Sequence, residues 1–220
     1  MSAITLESLK EQITEQIASF RQNVPDGVKE LMAQKTAELQ ATKLSQQALK
    51  VGDRAPDFEL PNAAGGTVKL SELLKSGAVI LNFYRGGWCP YCNLELRALQ
   101  QALPEFQRRN ASLVAISPET PDNSLSTQEK NELAFPVLSD VGNGVAKDYG
   151  LVFVLDPDLQ ALYTKFGLDI PGHNGDETFE LPMPATYVVD PTGVIIYAFA
   201  EEDYLQRAEP SDILAAIAQL

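Results

Sequence analysis

The chain has 220 residues, 45% of them hydrophobic and 21% charged. That apolar share can fill a core, which excludes a disordered or collagen-like chain, and the length suits one good-sized domain with an appendage. Thirty acidic against seventeen basic residues leave a formal charge of −13, which repels phosphate backbones and anionic lipid, so neither nucleic acid nor a membrane is expected as partner.

Met1 to Phe20 interleaves Glu7, Lys10, Glu11 and Glu15 with isolated apolar residues, so no secretory leader is expected there. Leu6, Leu9, Ile13 and Ile17 recur at helical spacing, and Val28, Leu31, Met32, Leu39 and Leu44 do so less strictly. Pro25-Asp26-Gly27 forms a turn between the two stretches. This predicts two amphipathic helices in an N-terminal extension, residues 1–48, ahead of a main domain at 49–220. Such a stripe either packs on its own chain or serves as an arm in a homodimer.

Beyond Lys50, Gly, Pro and β-branched runs take over. Thr67–Leu70 reads as a short strand and Ala78–Tyr84 as a central strand buried on both faces. A helix follows from about Pro90 to Arg109, with Pro104 expected to kink it. Ser112–Ser117 is a further buried strand, and Ser124–Leu133 a further helix. Residues 156–181 read as an insertion with one short helix, Leu159–Phe166, and a polar, turn-rich loop in which His173 is expected to be solvated. Asp190-Pro191-Thr192-Gly193 joins Ala185–Val189 to Val194–Ala200 as a hairpin, and Ser211–Gln219 closes as a helix. The pattern predicts an α/β fold, a mixed central sheet with helices on both faces. The longest apolar runs, such as Val152–Leu155, are far too short to span a membrane.

The chemistry concentrates in Trp88-Cys89-Pro90-Tyr91-Cys92. Two cysteines in the whole chain exclude a disulfide-stapled scaffold, and one distant histidine cannot complete a zinc site with them, so no metal or other cofactor is expected. At this spacing both sulfurs meet over the first turn of a helix, where backbone N–H groups and the helix dipole lower a thiol pKa. Such a pair fits redox chemistry in a reducing, cytoplasmic setting.

Trp-Cys-Pro-Tyr-Cys at a strand–helix junction resembles the active site of the thioredoxin superfamily, and the chain as a whole resembles the peroxiredoxin (AhpC/TSA) family. Gly52-Asp53-Arg54-Ala55-Pro56-Asp57-Phe58 is similar to that family's opening strand, and Asn82-Phe83-Tyr84 to the strand before its catalytic loop. Phe135 to Asp140, with Tyr149-Gly150, resembles its Phe-Pro-x-x-Ser-Asp segment, and Tyr187 to Gly193 its closing hairpin. The resemblance runs from about Lys50 to Leu220 and implies a thioredoxin-like fold.

On the family pattern Pro-x-x-x-Thr-x-x-Cys, Cys92 stands at the peroxidatic cysteine, while Arg85 replaces the proline and Cys89 the threonine. Glu95 matches a family glutamate. The family's remote arginine would fall near Pro184, where this chain has none. Met183-Pro184-Ala185-Thr186 instead resembles the cis-proline loop of thioredoxins, so a cis Met183–Pro184 bond facing the sulfurs is expected.

The leading reading is a peroxidase in which Cys92 attacks a hydroperoxide and Cys89 resolves it. Its mark would be a sulfenic acid on Cys92 in a Cys89→Ser protein. In the thioredoxin reading Cys89 attacks a protein disulfide and Cys92 resolves. Both end in a Cys89–Cys92 disulfide reduced by thioredoxin or another thiol donor. A redox sensor whose disulfide moves the N-terminal helices is a third reading. Around the pair, Arg85 is either a thiolate stabiliser or a surface arginine, and Trp88 resembles the shielding tryptophan of thioredoxins. Asn82 stands where thioredoxins keep a buried acid, so Glu95 becomes the candidate for proton handling, or else a solvated helix glutamate. Arg207 and Glu209 carry no mechanism legible in the sequence.

Overall fold

Two helices open the chain, α1 (Leu9–Asn23) and α2 (Asp26–Thr42), in a computed structural model that describes residues 8–220. Leu6, the first residue of the predicted stripe, lies outside the described residues. Ser8 caps α1 by accepting from the Glu11 N–H. The break falls at Val24–Pro25, because Asp26 and Gly27 already belong to the first turn of α2. The chain continues through β1 (Glu59–Pro61), β2 (Thr67–Lys69), α3 (Leu70–Leu73), β3 (Ala78–Phe83), α4 (Pro90–Gln107), β4 (Ala111–Ser117), α5 (Pro121–Lys130), β5 (Val137–Ser139) and α6 (Gly144–Asp148). It ends with β6 (Val152–Val154), α7 (Pro157–Lys165), α8 (Ile170–Asn174), β7 (Glu180–Pro182), β8 (Ala185–Val189), β9 (Ile195–Ala200) and α9 (Pro210–Ile217).

The central sheet runs β5-β4-β3-β8-β9. β3 and β4 are parallel, as are β4 and β5, whereas β8 lies antiparallel to both β3 and β9, which makes the sheet mixed. Every residue of β3 is buried, as a strand with helices on both faces requires. Alternation along it sorts the core. Ile80 and Tyr84 face α4, α9 and α1, while Val79, Leu81 and Phe83 face the layer of α3 and α6.

The N-terminal helices pack on this domain. Leu9 and Ile13, 1% and 4% exposed, join the same cluster as Leu96, Leu99 and Leu103 of α4; burying each contributes about 1.5–3 kcal/mol. α2 lays Val28, Leu31 and Met32 on Leu155, Leu162 and Tyr163. The Lys35 ammonium reaches Asp156 at 3.1 Å and Asp158 at 3.0 Å, tying α2 to the start of α7.

Three sequence expectations are corrected here. Residues 52–58 form a loop bridged to Val194 at Arg54, and strand pairing begins only at Glu59; Pro56 has no N–H to give a ladder. The segment around His173 is a short helix, α8, with Pro171 in its first turn and capped by Asp169, whose side chain accepts from the Gly172 N–H. The Met183–Pro184 bond is trans, since the described residues contain no cis peptide. Met183 lies between β7 and β8 and donates its N–H to the Leu151 carbonyl at 2.9 Å, so the chain passes extended from one strand to the next without the tight turn a cis proline serves.

Candidate active site

β3 ends at Phe83, and a short loop carries Arg85, Gly86, Gly87 and Trp88 to Cys89, the N-cap of α4, with Pro90 at the first helical position, where a missing N–H costs nothing. The loop is tight. A Cβ on Gly86 would strike the Trp88 indole, and one on Gly87 would strike the Thr127 side chain. Asn93 holds the loop from the helix side, donating to the carbonyls of Gly87 (2.8 Å) and Cys89 (3.1 Å). From below, the buried carboxylate of Glu119 accepts from the Gly87 N–H at 2.9 Å and the Thr127 hydroxyl at 3.3 Å.

Both cysteines are free thiols and buried, Cys89 at 1% and Cys92 at 0% exposure. Two guanidiniums accompany them. Arg85 is 2% exposed, sandwiched between the Trp88 and Tyr204 rings, its Cζ 4.8 Å from each centroid, and it donates to the Tyr163 hydroxyl at 2.8 Å. Its Nε has no hydrogen-bond partner among the described residues. The Arg207 side chain, 1% exposed, lies with Nη2 at 3.6 Å from the Cys92 sulfur and Nε at 2.7 Å from the Glu95 carboxylate. Glu95 also accepts from Asn82 at 3.0 Å, and Asn82 donates in turn to Thr186.

This surplus of buried positive charge splits the two thiols. Burial alone would raise Cys89, but its contact with Cys92 and the fields of Arg85 and Arg207 bring it down to about 6. Cys92 moves the other way, well above an ordinary thiol, through burial and then the neighbouring Cys89. Burial pushes Glu95 up to about 7, against the pull of Arg207. Two buried guanidiniums face one buried carboxylate at the pair, and a Cys89 thiolate supplies the missing counter-charge.

The sequence-selected residues Arg85, Trp88, Cys89, Cys92 and Glu95 all converge here. Arg85 and Glu95 are buried, so neither is the surface residue weighed as the alternative. Pro184 is buried one register step past the Phe83–Ala185 pair, and it lines a groove beside Arg85 and Tyr204 that Cys89 does not reach. His173 is half-buried, with Nδ1 3.1 Å from Glu119, which raises its pKa; the carboxylate under the loop explains why it is not solvated. Arg207 was missed. An arginine between apolar Leu205 and Ala208, ahead of a helix-starting proline, was the available signal. Glu209 fixes its segment by accepting from the N–H groups of Leu9 (3.1 Å) and Lys10 (2.7 Å) at the start of α1.

Comparison with known proteins agrees with the fold. A Mycobacterium tuberculosis protein named as a peroxiredoxin, MT1643, is 31% identical over 138 residues, 55% of this chain and 90% of that protein. The thiol-disulfide oxidoreductase ResA of Bacillus thuringiensis is 27% identical over 119 residues, 51% of this chain and 68% of ResA. The crystal structure of peroxidoxin BcpB from Mycobacterium tuberculosis superposes with a TM-score of 0.63 at 26% identity, covering 78% of this chain and 98% of BcpB. The pattern of the AhpC/TSA family matches residues 51–198, which take in the loop, both cysteines and the central sheet up to Ala198 of β9, and the chain belongs to that family.

Proposed function

We propose that the chain is a thiol-dependent peroxidase that reduces hydroperoxides through Cys89 and Cys92, with Cys89 as the attacking thiolate. The carrying observation is the burial of Cys89: at 1% exposure it borders a cavity of about 90 Å³, roofed by Phe20 of α1 and Met32 of α2. A hydroperoxide group fits such a space, whereas the disulfide of a folded protein does not. The depressed thiol of Cys89 and the raised thiol of Cys92 support an order opposite to the one the peroxiredoxin pattern implies.

In the first step the Cys89 thiolate attacks the terminal oxygen of the hydroperoxide. An S–O bond forms, the O–O bond breaks, sulfur is oxidised to sulfenic acid, and the alkoxide leaves as an alcohol after taking a proton. Arg85, with a free buried Nε donor, suits the charge that develops on the peroxide oxygens. Cys92 then attacks the sulfenic sulfur, the S–S bond forms, and the hydroxyl leaves with the Cys92 proton as water. Glu95, with its pKa near 7 and its carboxylate on Arg207, is the group at hand to carry that proton. Two external thiols reduce the disulfide and depart as a disulfide of their own. That regeneration suits a reducing compartment such as the cytoplasm; no described helix is long and apolar enough to cross a membrane.

A second reading, thiol–disulfide exchange with protein substrates, is supported by the likeness to ResA and by the Cys-Pro-Tyr-Cys spacing. Consumption of hydrogen peroxide and an organic hydroperoxide with dithiothreitol as donor, measured beside insulin disulfide reduction, separates them. Peroxide turnover with negligible insulin reduction is expected; insulin reduction without peroxide turnover would overturn the peroxidase.

A further inference from the structure

A second, larger space opens beside the cysteine cavity. It measures about 360 Å³, within the range of small-molecule sites, and runs between α2 and the β6–α7 segment. Met32, Arg85, Tyr163 and Tyr204 line both spaces, so the two adjoin along these four side chains. At their junction Arg85 is buried with an unpartnered Nε donor, which calls for an oxygen acceptor on a ligand. Beyond Arg85 the walls turn apolar, with Leu39, Phe153 and Leu159, each half-buried. Leu39 and Met32 precede residue 51, so this wall lies outside the family match.

We infer that this groove holds the aliphatic tail of a long-chain, uncharged alkyl hydroperoxide whose –OOH lies between Arg85 and Cys89. The inference rests on the peroxidase reading and names its substrate. The rim decides against a carboxylate at the far end. Lys35, the cation there, is already shared by Glu38 (3.2 Å), Asp156 (3.1 Å) and Asp158 (3.0 Å), and Glu202 adds a further acid to the lining. An acidic rim repels a fatty-acid carboxylate and leaves a neutral chain undisturbed.

Each methylene moved from water into such a groove is worth a factor of about four. Accordingly kcat/KM should climb from ethyl through hexyl to decyl hydroperoxide, and 10-hydroperoxydecanoic acid at neutral pH should fall well below decyl hydroperoxide. Leu39→Gln, and independently Leu159→Gln, should lower the decyl-to-ethyl ratio about tenfold. A readout free of turnover uses Trp88, the one tryptophan in the chain and a wall of the cysteine cavity. Decan-1-ol should change its fluorescence saturably and compete with decyl hydroperoxide. A flat chain-length series, an acid used as well as the neutral chain, or no saturable response to decanol while hydrogen peroxide is still reduced would each overturn the tail site. If no peroxide is consumed at all, the peroxidase reading fails, and the decanol titration still decides on the groove by itself.

Discussion

Replacing Arg85 by methionine removes the guanidinium whose charge lowers Cys89 most, while filling most of its volume among the three rings. Cys89 sits at about 6 against an ordinary 9.0, and an adjacent opposite charge lowers a pKa by about 1–3 units. With the Cys92 contact and Arg207 still in place, losing Arg85 should raise Cys89 by about 1–2 units, to about 7–8. At pH 7 the thiolate fraction then drops from about nine-tenths to between about a half and a tenth, a loss of two- to tenfold that disappears at higher pH. The assay is the pH dependence of iodoacetamide alkylation in a Cys92→Ser background, where a hydroxyl stands in for the Cys92 thiol; it reads one thiol, needs no peroxide, and takes the Arg85→Met shift relative to Cys92→Ser alone. Arg85→Lys keeps the charge without the planar fork, so its midpoint should lie below that of Arg85→Met. A midpoint in Arg85→Met that coincides with the parent curve would refute the argument that Arg85 sets the thiolate.

Arg207→Met leaves the buried Glu95 carboxylate without its counter-ion, a loss of about 3–5 kcal/mol when it is charged. Because the folded pKa of Glu95 is already raised, and rises further in the variant, that group's contribution is present at low pH and lost as pH rises through the folded value. Urea midpoints should therefore differ little at pH 5 and widely at pH 8, and an equal difference at both would contradict this. His173, raised by Glu119, stabilises the fold fully below 6.5, and this is lost as pH rises through its folded pKa. His173→Asn should flatten stability against pH just above 6.5, and a parent profile already flat there would refute the link. Mild peroxide should remove both thiols of each chain and leave mainly monomer on a non-reducing gel, since the Cys89–Cys92 spacing favours a bond within the chain; a dominant covalent dimer would oppose it.

The sheet and the cysteine helix were legible because their signals are local. β3 announces itself as an unbroken apolar run, α4 by Pro90 directly after Cys89, and the β8–β9 hairpin by Asp190-Pro191-Thr192-Gly193. What escaped depends on partners far apart in the chain. Arg207 meets a sulfur 115 positions away, and His173 meets Glu119 across 54. A helix glutamate such as Glu95 reads as solvated until a buried arginine faces it. The expectation at Pro184 failed for a related reason. A short motif resembled a thioredoxin loop, but here Met183 and Pro184 only link β7 of one sheet to β8 of another, with a trans bond between them.

Sulfenic acid mapping in the two serine variants tests the division of labour between the thiols most directly. Each variant is exposed to one equivalent of hydroperoxide in the presence of dimedone and analysed by peptide mass spectrometry. The expected result is the dimedone adduct on Cys89 in the Cys92→Ser protein and no reaction in Cys89→Ser. An adduct on Cys92 in Cys89→Ser, with Cys92→Ser inert, would reverse the roles and return the chain to the order of the peroxiredoxin pattern.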